Sequence, residues 1–526
     1  MKFRSATLRR FTALHTWVGL AAGFALFVAF YAGAITVFHH DLMLWQAPHA
    51  ADAPVHTLDD AQRLLDETLA RHADARTHVG MLFPGPESPH AISYWQDAHG
   101  TWQYATLDAP DGTSTLPHAA LSELVNALHY ALGLPGIGTW FMGAVSLLYG
   151  VALISGVVIH LPKLAKDLFA LRPGRNRKQF WQDAHNVVGV LSLPVHVMFA
   201  VTGALLCLMM VALLALDPLV HRGQAMAALP AAFDTAPVVA PAASPAGPLP
   251  LSDLTRRARQ AALAQGLDAF EPAYLKLANA GDANAVIEIT GAAPRTLGPL
   301  GAVALDAASG AVLATELPGR RDANHATLQI AYALHFAEFG NAWIRVLYFV
   351  LGLGGAFLFY SGNLLWIESR RRRRQVTQTR TSMATARATI GLCLGVCVAI
   401  SVAFVATQLL EWQAPAWADR GIPLACFLTW AGCLVWAALR PPIRAARELL
   451  LAAAWASAAI PVAHGVASGW WLWRSAGAGH WALFAIDAGA LALAVGFATL
   501  ARATARRARD SDPCSVWADP ALTRAA

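Results

Sequence analysis

Charge is scarce in this chain. Of its 526 residues only 14% are Asp, Glu, Lys or Arg, while 56% are hydrophobic. That balance excludes an ordinary soluble multidomain protein and is the profile of a membrane protein. Cysteine is scarce too. Of six, Cys207, Cys393, Cys397, Cys426 and Cys433 fall in apolar stretches, and the two long polar segments contain none. No disulfide framework is implied. Cys393 and Cys397 share a helix face at i and i+4 and read as small packing residues. A C-x-x-C-H run is missing, which excludes covalent c-type haem. So is a G-x-G-x-x-G following a strand, and no soluble segment on the basic side is long enough for a fused flavin-reductase module.

What is abundant is long apolar sequence. Eight stretches have the length and hydropathy to cross a bilayer: 15–38, 138–160, 186–216, 342–366, 386–409, 422–439, 448–466 and 480–501. The first is too long, and lacks the cleavage site, to be only a signal peptide. Basic clusters alternate sides: Lys2 to Arg10, Lys163 to Lys178, Arg370 to Arg374, Arg440 to Arg447 and Arg502 to Arg509. By the positive-inside rule both termini are cytoplasmic. The formal charge of +6 is therefore topological, and nucleic acid is not a partner; the lipid bilayer is. The chain divides into span one (1–40), an outside module (41–130), spans two and three with their basic loop (131–216), a linker and second module (217–334), span four and a basic loop (335–375), a four-span region (376–510) and a cytoplasmic tail (511–526).

Each outside module reads as a helix followed by short antiparallel strands. In the first, Thr57 caps a helix to about Arg71, and alternating runs follow at 77–83, 91–96 and 101–107. In the second, a Pro- and Ala-rich linker precedes Ser252, which is expected to cap a helix to about Gln265. Strand-like runs follow at 273–277, 285–290, 302–306 and 311–317, with Asp306 to Gly310 as a hairpin turn.

One pattern occurs twice. Ala13-Leu14-His15-Thr16-Trp17-Val18-Gly19 opens the first apolar stretch, and Asp183-Ala184-His185-Asn186-Val187-Val188-Gly189 opens the third. Leu128-His129 precedes the second and Leu334-His335 the fourth. Gly33 and Gly203 share one offset from His15 and His185. Ser155-Gly156 and Ser361-Gly362 share one offset from His129 and His335. This register is that of an internally duplicated helix–module–helix unit. A histidine at a membrane boundary is costly unless used, and four placed by symmetry point to paired metal ligands. Zinc is disfavoured because no acid or thiol clusters with them.

These motifs, with Trp181-x-Asp183-x-His185-x3-Gly189, resemble the PepSY-associated transmembrane helix proteins, over about residues 5–375. The resemblance implies a mainly α membrane protein of a bacterial inner membrane, about eight transmembrane helices in all, with two periplasmic α+β PepSY-like modules. It also implies kinship with haem-containing reductases that release iron from ferric siderophores. The four extra C-terminal spans depart from shorter members. A b-type haem needs two imidazoles at equal depth on neighbouring helices. The expectation is therefore two haems, one held by His15 and His185 at the cytoplasmic side and one by His129 and His335 at the periplasmic side, stacked as an electron wire. His196, mid-span, is the deepest histidine and a further candidate ligand. His39 or His40 are alternatives at the periplasmic end, and His160 reads as a boundary residue. Trp17, Trp140 and Trp343 read as interface anchors, as do His464, His480, Trp470, Trp471, Trp473 and Trp481. Asp487 is an intramembrane carboxylate, functional or locally paired. The expected function is electron transfer to a periplasmic ferric siderophore, from a quinol or a separate flavoprotein. The rival readings are a non-enzymatic assembly protein that binds a periplasmic partner and, less well supported, a transporter.

Overall fold

The structure is a computed structural model that describes residues 4–47, 55–85, 88–163, 177–226, 234–293, 296–321, 323–509 and 512–519. The basic residues expected at Lys166, Arg172 and Arg175 lie outside the described residues. Two compact units divide the chain: one from residues 1–48, 120–209 and 346–526, the other from 49–119 and 210–345.

The first unit is helical. Among the described residues, eight helical segments have the length and hydropathy to cross a membrane: Ser5–Thr36, Gly138–His160, Leu193–His221, Ala342–Ser369, Arg380–Gln413, Pro415–Leu439, Pro442–Ser468 and Trp481–Arg509. Helix α1 (Ser5–Thr36) begins ten residues before the apolar run expected to start it, so His15 sits in its third turn. A short α2 (His39–Gln46) follows. Helix α3 (Leu58–Arg71) belongs to the other unit. Helix α4 (Ala120–Ala131) carries His129, and α5 (Gly138–His160) is the second span. Helix α1 packs along α4 and α5. The third apolar stretch is broken: α6 (Arg177–Leu191) ends at Ser192 and α7 (Leu193–Leu216) begins beyond it. Pro194 explains the break, because it has no N–H to give the preceding turn. His185 and His196 thus fall on successive helices.

In the second unit, α3 opens with a capping box in which Thr57 and Asp60 satisfy each other's backbone N–H. Thr57→Ala is expected to cost about 1 kcal/mol locally, read as faster amide exchange in the first turn of α3. Helix α8 (Leu251–Ala264) has Pro250, not Ser252, at its N-cap. The extended backbone of Pro250 turns its carbonyl to accept from Asp253 and Leu254, which leaves Ser252 inside the first turn.

The strands are β1 (His78–Leu82), β2 (Ile92–Gln96), β3 (Trp102–Ala105), β4 (Glu271–Ala278), β5 (Val286–Ala292), β6 (Leu300–Asp306) and β7 (Val312–Glu316). They do not form two separate sheets. Among the described residues they form one seven-stranded antiparallel sheet in the order β3-β2-β1-β4-β5-β6-β7. β1 and β4, the first strands of their segments, pair with Gly80 opposite Lys276. Each small sheet would otherwise leave an edge of unpaired N–H and C=O groups, and joining removes both edges. Leu64, Leu65, Leu254 and Ala258 of α3 and α8 cover one face, packed on Val79, Met81, Leu275, Leu277, Ile287, Ile289 and Val303. The turn at Asp306 forms as expected: its Oδ1 accepts from the Ser309 N–H, and Gly310 takes a positive φ of 72°.

Helix α9 (Ala323–Phe336) carries His335, and α10 (Ala342–Ser369) is the fourth span. Then come α11 (Arg380–Thr389), α12 (Gly395–Gln413), α13 (Ala418–Leu439), α14 (Pro442–Ser468), α15 (Leu472–Ala478) and α16 (Trp481–Arg509). A π-helical turn at Ile390–Leu394 joins α11 to α12. There Gly391 allows close approach of α13: a Cβ would lie 3.1 Å from Leu434. Helix α2 lies against both α4 and α16.

Candidate functional site

His15 of α1 and His185 of α6 meet. Their ring centroids are 6.4 Å apart and their planes stand at 84°. The Nδ1–H of His15 donates to the Ala152 carbonyl at 2.9 Å. The room for it comes from Gly156, where a Cβ would lie 3.2 Å from the His15 ring. His185 Nδ1 lies 2.9 Å from Ser361 Oγ. That hydroxyl gives its own proton to the Leu358 carbonyl, so it accepts from His185. Gly362 then borders the His185 ring at 3.7 Å. Both rings are therefore held as the tautomer with a lone pair on Nε2, which is what a metal-ligating imidazole needs.

His129 is held the same way. Its Nδ1–H donates to the Ala29 carbonyl at 2.8 Å. Gly33 makes this possible, because a Cβ there would sit 2.6 Å from His129 Nδ1. Alanine for glycine in a helix ordinarily stabilises by about 0.5–1 kcal/mol. Gly33→Ala is expected to do the reverse and lower the thermal unfolding midpoint, since the ring must leave its carbonyl. His335, on α9, belongs to the other unit, where it stands edge-on to Phe336 with centroids 5.3 Å apart.

His196 is buried at mid-span, 1% exposed. Its Nδ1 bonds the Tyr149 hydroxyl, and Phe30 lies 5.5 Å from its ring. Its Nε2 is buried with no hydrogen-bond partner among the described residues. His39 Nε2 lies 3.6 Å from the Glu123 carboxyl of α4, and its ring packs edge-on against His40. His160 ends α5. Trp17 meets Trp366, and the Arg370 guanidinium lies over both rings, 4.1 Å from that of Trp366. Trp366 Nε1 is buried and has no acceptor among the described residues.

A second polar centre lies among the C-terminal helices. Asp487, fully buried, accepts from Trp45 Nε1 at 2.9 Å and from His464 Nδ1 at 2.8 Å. The Trp45 ring also lies 5.0 Å from that of His464, tilted by 43°, and Gln408 donates to the Trp45 carbonyl. His464 is thus an interior residue rather than an interfacial anchor, while Trp473 and Trp481 are exposed. Sequence reasoning missed Tyr149, Trp45 and Gln408. Each is a polar group in or beside an apolar span, and that mismatch was the available signal.

The unit built on the sheet carries a polar cavity of about 280 Å³ on the face away from α3 and α8, with Tyr94, Lys276, Glu288, Glu316, Arg321 and His325 in its walls. Burial pushes the Glu288 carboxyl up, against the pull of Lys276. Burial alone would lower the Lys276 ammonium, yet the hydrogen-bonded Asp234 and nearby Glu288 hold it above its ordinary value.

Comparison with known proteins gives one family. The family model described as "PepSY-associated TM region" matches residues 12–369. No curated protein matches the chain.

Proposed function

Because the chain belongs to the PepSY-associated TM region family, we propose that it is a haem-b electron-transfer protein of a bacterial inner membrane that reduces a ferric complex, a ferric siderophore, on the periplasmic side. The observation that carries this reading is the His15–His185 pair. His15 and His185 would hold the haem iron through Nε2, which requires two rings at close range on neighbouring helices. The observed spacing is 6.4 Å, and both Nδ1–H groups are already spent on protein acceptors.

Other residues fit the same group. Arg370 and the unpartnered Trp366 Nε1 are donors one to two turns beyond Gly362, suited to the acidic side chains of a haem. Among the described residues no set of three His, Cys, Asp or Glu side chains gathers as a metal site, so two axial imidazoles suit the pair better than a four-ligand zinc centre. Bound haem supplies a one-electron couple whose potential follows from its axial ligands and burial. The protein's part is to fix the imidazoles, exclude water and shape the surface where the ferric complex docks. Reduction to iron(II) weakens the hold of hard oxygen ligands.

The duplication supports a second site built from His129 and His335. Of the glycines and serines that share a register, several border histidine rings: Gly33 beside His129, Ser155-Gly156 beside His15, Ser361-Gly362 beside His185. Each outer segment also runs helix first and strands after, as two PepSY-like modules would. The polar cavity on the joined sheet is the natural docking surface. The electron donor, a quinol or a separate flavoprotein, acts from the basic side.

The test is an absorption spectrum with a pyridine haemochrome assay. A Soret band and reducible α-bands are expected. A colourless protein that has been offered haem would leave the other reading, a non-enzymatic assembly protein that binds a periplasmic partner. Topology is tested separately. Alkaline phosphatase fused after Lys178 is expected to be inactive and fused after Asp253 active; the opposite result would invert the membrane orientation.

A further inference from the structure

The joined sheet turns two rows of side chains away from α3 and α8. Cross-strand neighbours Tyr94, Gly80, Lys276 and Glu288 make one row. Tyr274, Thr290, Ala302 and Glu316 make the next. Alternation along each strand puts both rows on the face opposite the apolar core. All of these but Gly80 line the cavity of about 280 Å³, and Arg321 and His325 stand at its side. A Cβ at Gly80 would collide with the Tyr94 ring, so glycine lets that ring pass over β1.

The charge of the first row is balanced within the protein. Lys276 Nζ lies 2.5 Å from Asp234 and 3.8 Å from Glu288. Glu288 also accepts from the N–H groups of Thr235 and Ala236. The second row is different. Glu316 Oε2 and Arg321 Nε are both buried with no hydrogen-bond partner among the described residues. The other Glu316 oxygen lies 3.9 Å from His325 Nδ1. Glu316 pairs with Ala302 on β6, and the Arg321 guanidinium donates to the carbonyl of Leu300, two residues along the same strand. A cationic donor and an anionic acceptor thus line one small cavity, each short of a bond. Burial pushes the Arg321 guanidinium down, against the pull of Glu316.

A buried charged group short of a hydrogen bond carries a cost that a ligand can remove. An anion alone would suit Arg321 and be repelled by Glu316. A cation alone would do the reverse. A neutral polyol would reach both, but without charge on its own side of each bond. A carboxylate and an ammonium on one carbon answer both groups at once. The volume lies at the lower edge of the range for ligand pockets, about 300–1,000 Å³. It suits a small molecule, or one end of a larger one.

We propose that this cavity binds an α-amino-carboxylate group, with the carboxylate on Arg321, the ammonium on Glu316 and the remainder against Tyr94 and Tyr274. Two sources carry that group: a free amino acid, and an amino-acid arm of the ferric complex that the proposed function docks here. Only the second source rests on that function.

The experiment uses the full chain purified in detergent. It is titrated with the twenty protein amino acids singly, and with the N-acetyl and amide derivatives of the tightest. Binding is read by calorimetry and by the thermal unfolding midpoint. At least one amino acid is expected to bind and raise the midpoint. Removing its ammonium or its carboxylate charge should weaken it about ten-fold, as should Arg321→Gln and Glu316→Gln. Ala302→Leu, which fills the cavity and changes neither charge, should abolish binding and keeps the test decisive if a charge variant folds poorly. A redox-inert gallium(III) trihydroxamate, with and without an amino-acid arm, separates the sources. Displacement of the amino acid by the armed complex alone assigns the group to the ferric ligand. No displacement by either assigns it to the free amino acid and removes this cavity from the docking reading. Displacement by both complexes alike would overturn the proposal. So would the absence of saturable binding, equal binding of the derivatives, or variants that bind like the parent.

Discussion

Alanine in place of His15 or His185 is expected to remove one haem from the purified protein, lowering the haemochrome yield from about two per chain to about one. The reason is local. Each imidazole has its Nδ1–H committed, to Ala152 or Ser361, which leaves Nε2 as the lone-pair nitrogen, and the two ring centroids lie 6.4 Å apart. With one ring gone the other would have to hold the group alone. His129→Ala and His335→Ala are expected to remove the other haem, abolish reduction of a periplasmic ferric complex and spare the His15–His185 centre. The two ends are separated by a hydrocarbon core of about 30 Å. Ser361→Ala keeps the ligand and removes only its acceptor, so haem should stay while its reduction midpoint shifts. His196→Ala provides the decisive contrast. Its Nε2 is buried at mid-span with no hydrogen-bond partner among the described residues. If His196→Ala loses haem while His185→Ala keeps its full complement, the symmetric pairing is wrong and the deep histidine is the ligand.

Asp487→Ala is expected to be the most destabilising single change among the C-terminal helices, by about 3 kcal/mol or more. The carboxylate is fully buried and satisfies two donors at once, Trp45 Nε1 and His464 Nδ1. Alanine leaves both without an acceptor in an apolar interior, which costs more than the pair itself contributes. Because Trp45 sits on α2 and His464 on α14, the loss should also loosen α2 from α16, against which it packs. The readout is the thermal midpoint in detergent, together with protease sensitivity between α2 and α3. Asp487→Asn keeps an oxygen for one of the two donors and should lose less. A parent-like midpoint for Asp487→Ala would show that the triad carries no structural weight.

The helical framework was legible because its signal is local. A bilayer span needs about 20 apolar residues, so composition alone placed eight spans. The N-cap at Thr57 and the turn at Asp306 were legible for the same reason: donor and acceptor lie within four residues. Where a local signal misled, another residue outweighed it. Ser252 looked like a cap, but Pro250 sets the extended backbone before the helix. The third span looked continuous, but Pro194 interrupts it.

The sequence by itself determined that the chain spans a membrane, that its polar segments are helix-then-strand modules, and that four histidines recur in one register. Only the tertiary structure decided which groups those histidines meet. Ala152, Ser361 and Ala29 lie 137, 176 and 100 residues from their imidazoles, and no periodicity reports such a contact. It also decided that the two small sheets become one, because an edge strand pairs with whichever partner removes its exposed backbone groups. Last, it decided that Asp487 answers to Trp45, 442 residues away, because a buried charge takes the nearest donors that packing supplies.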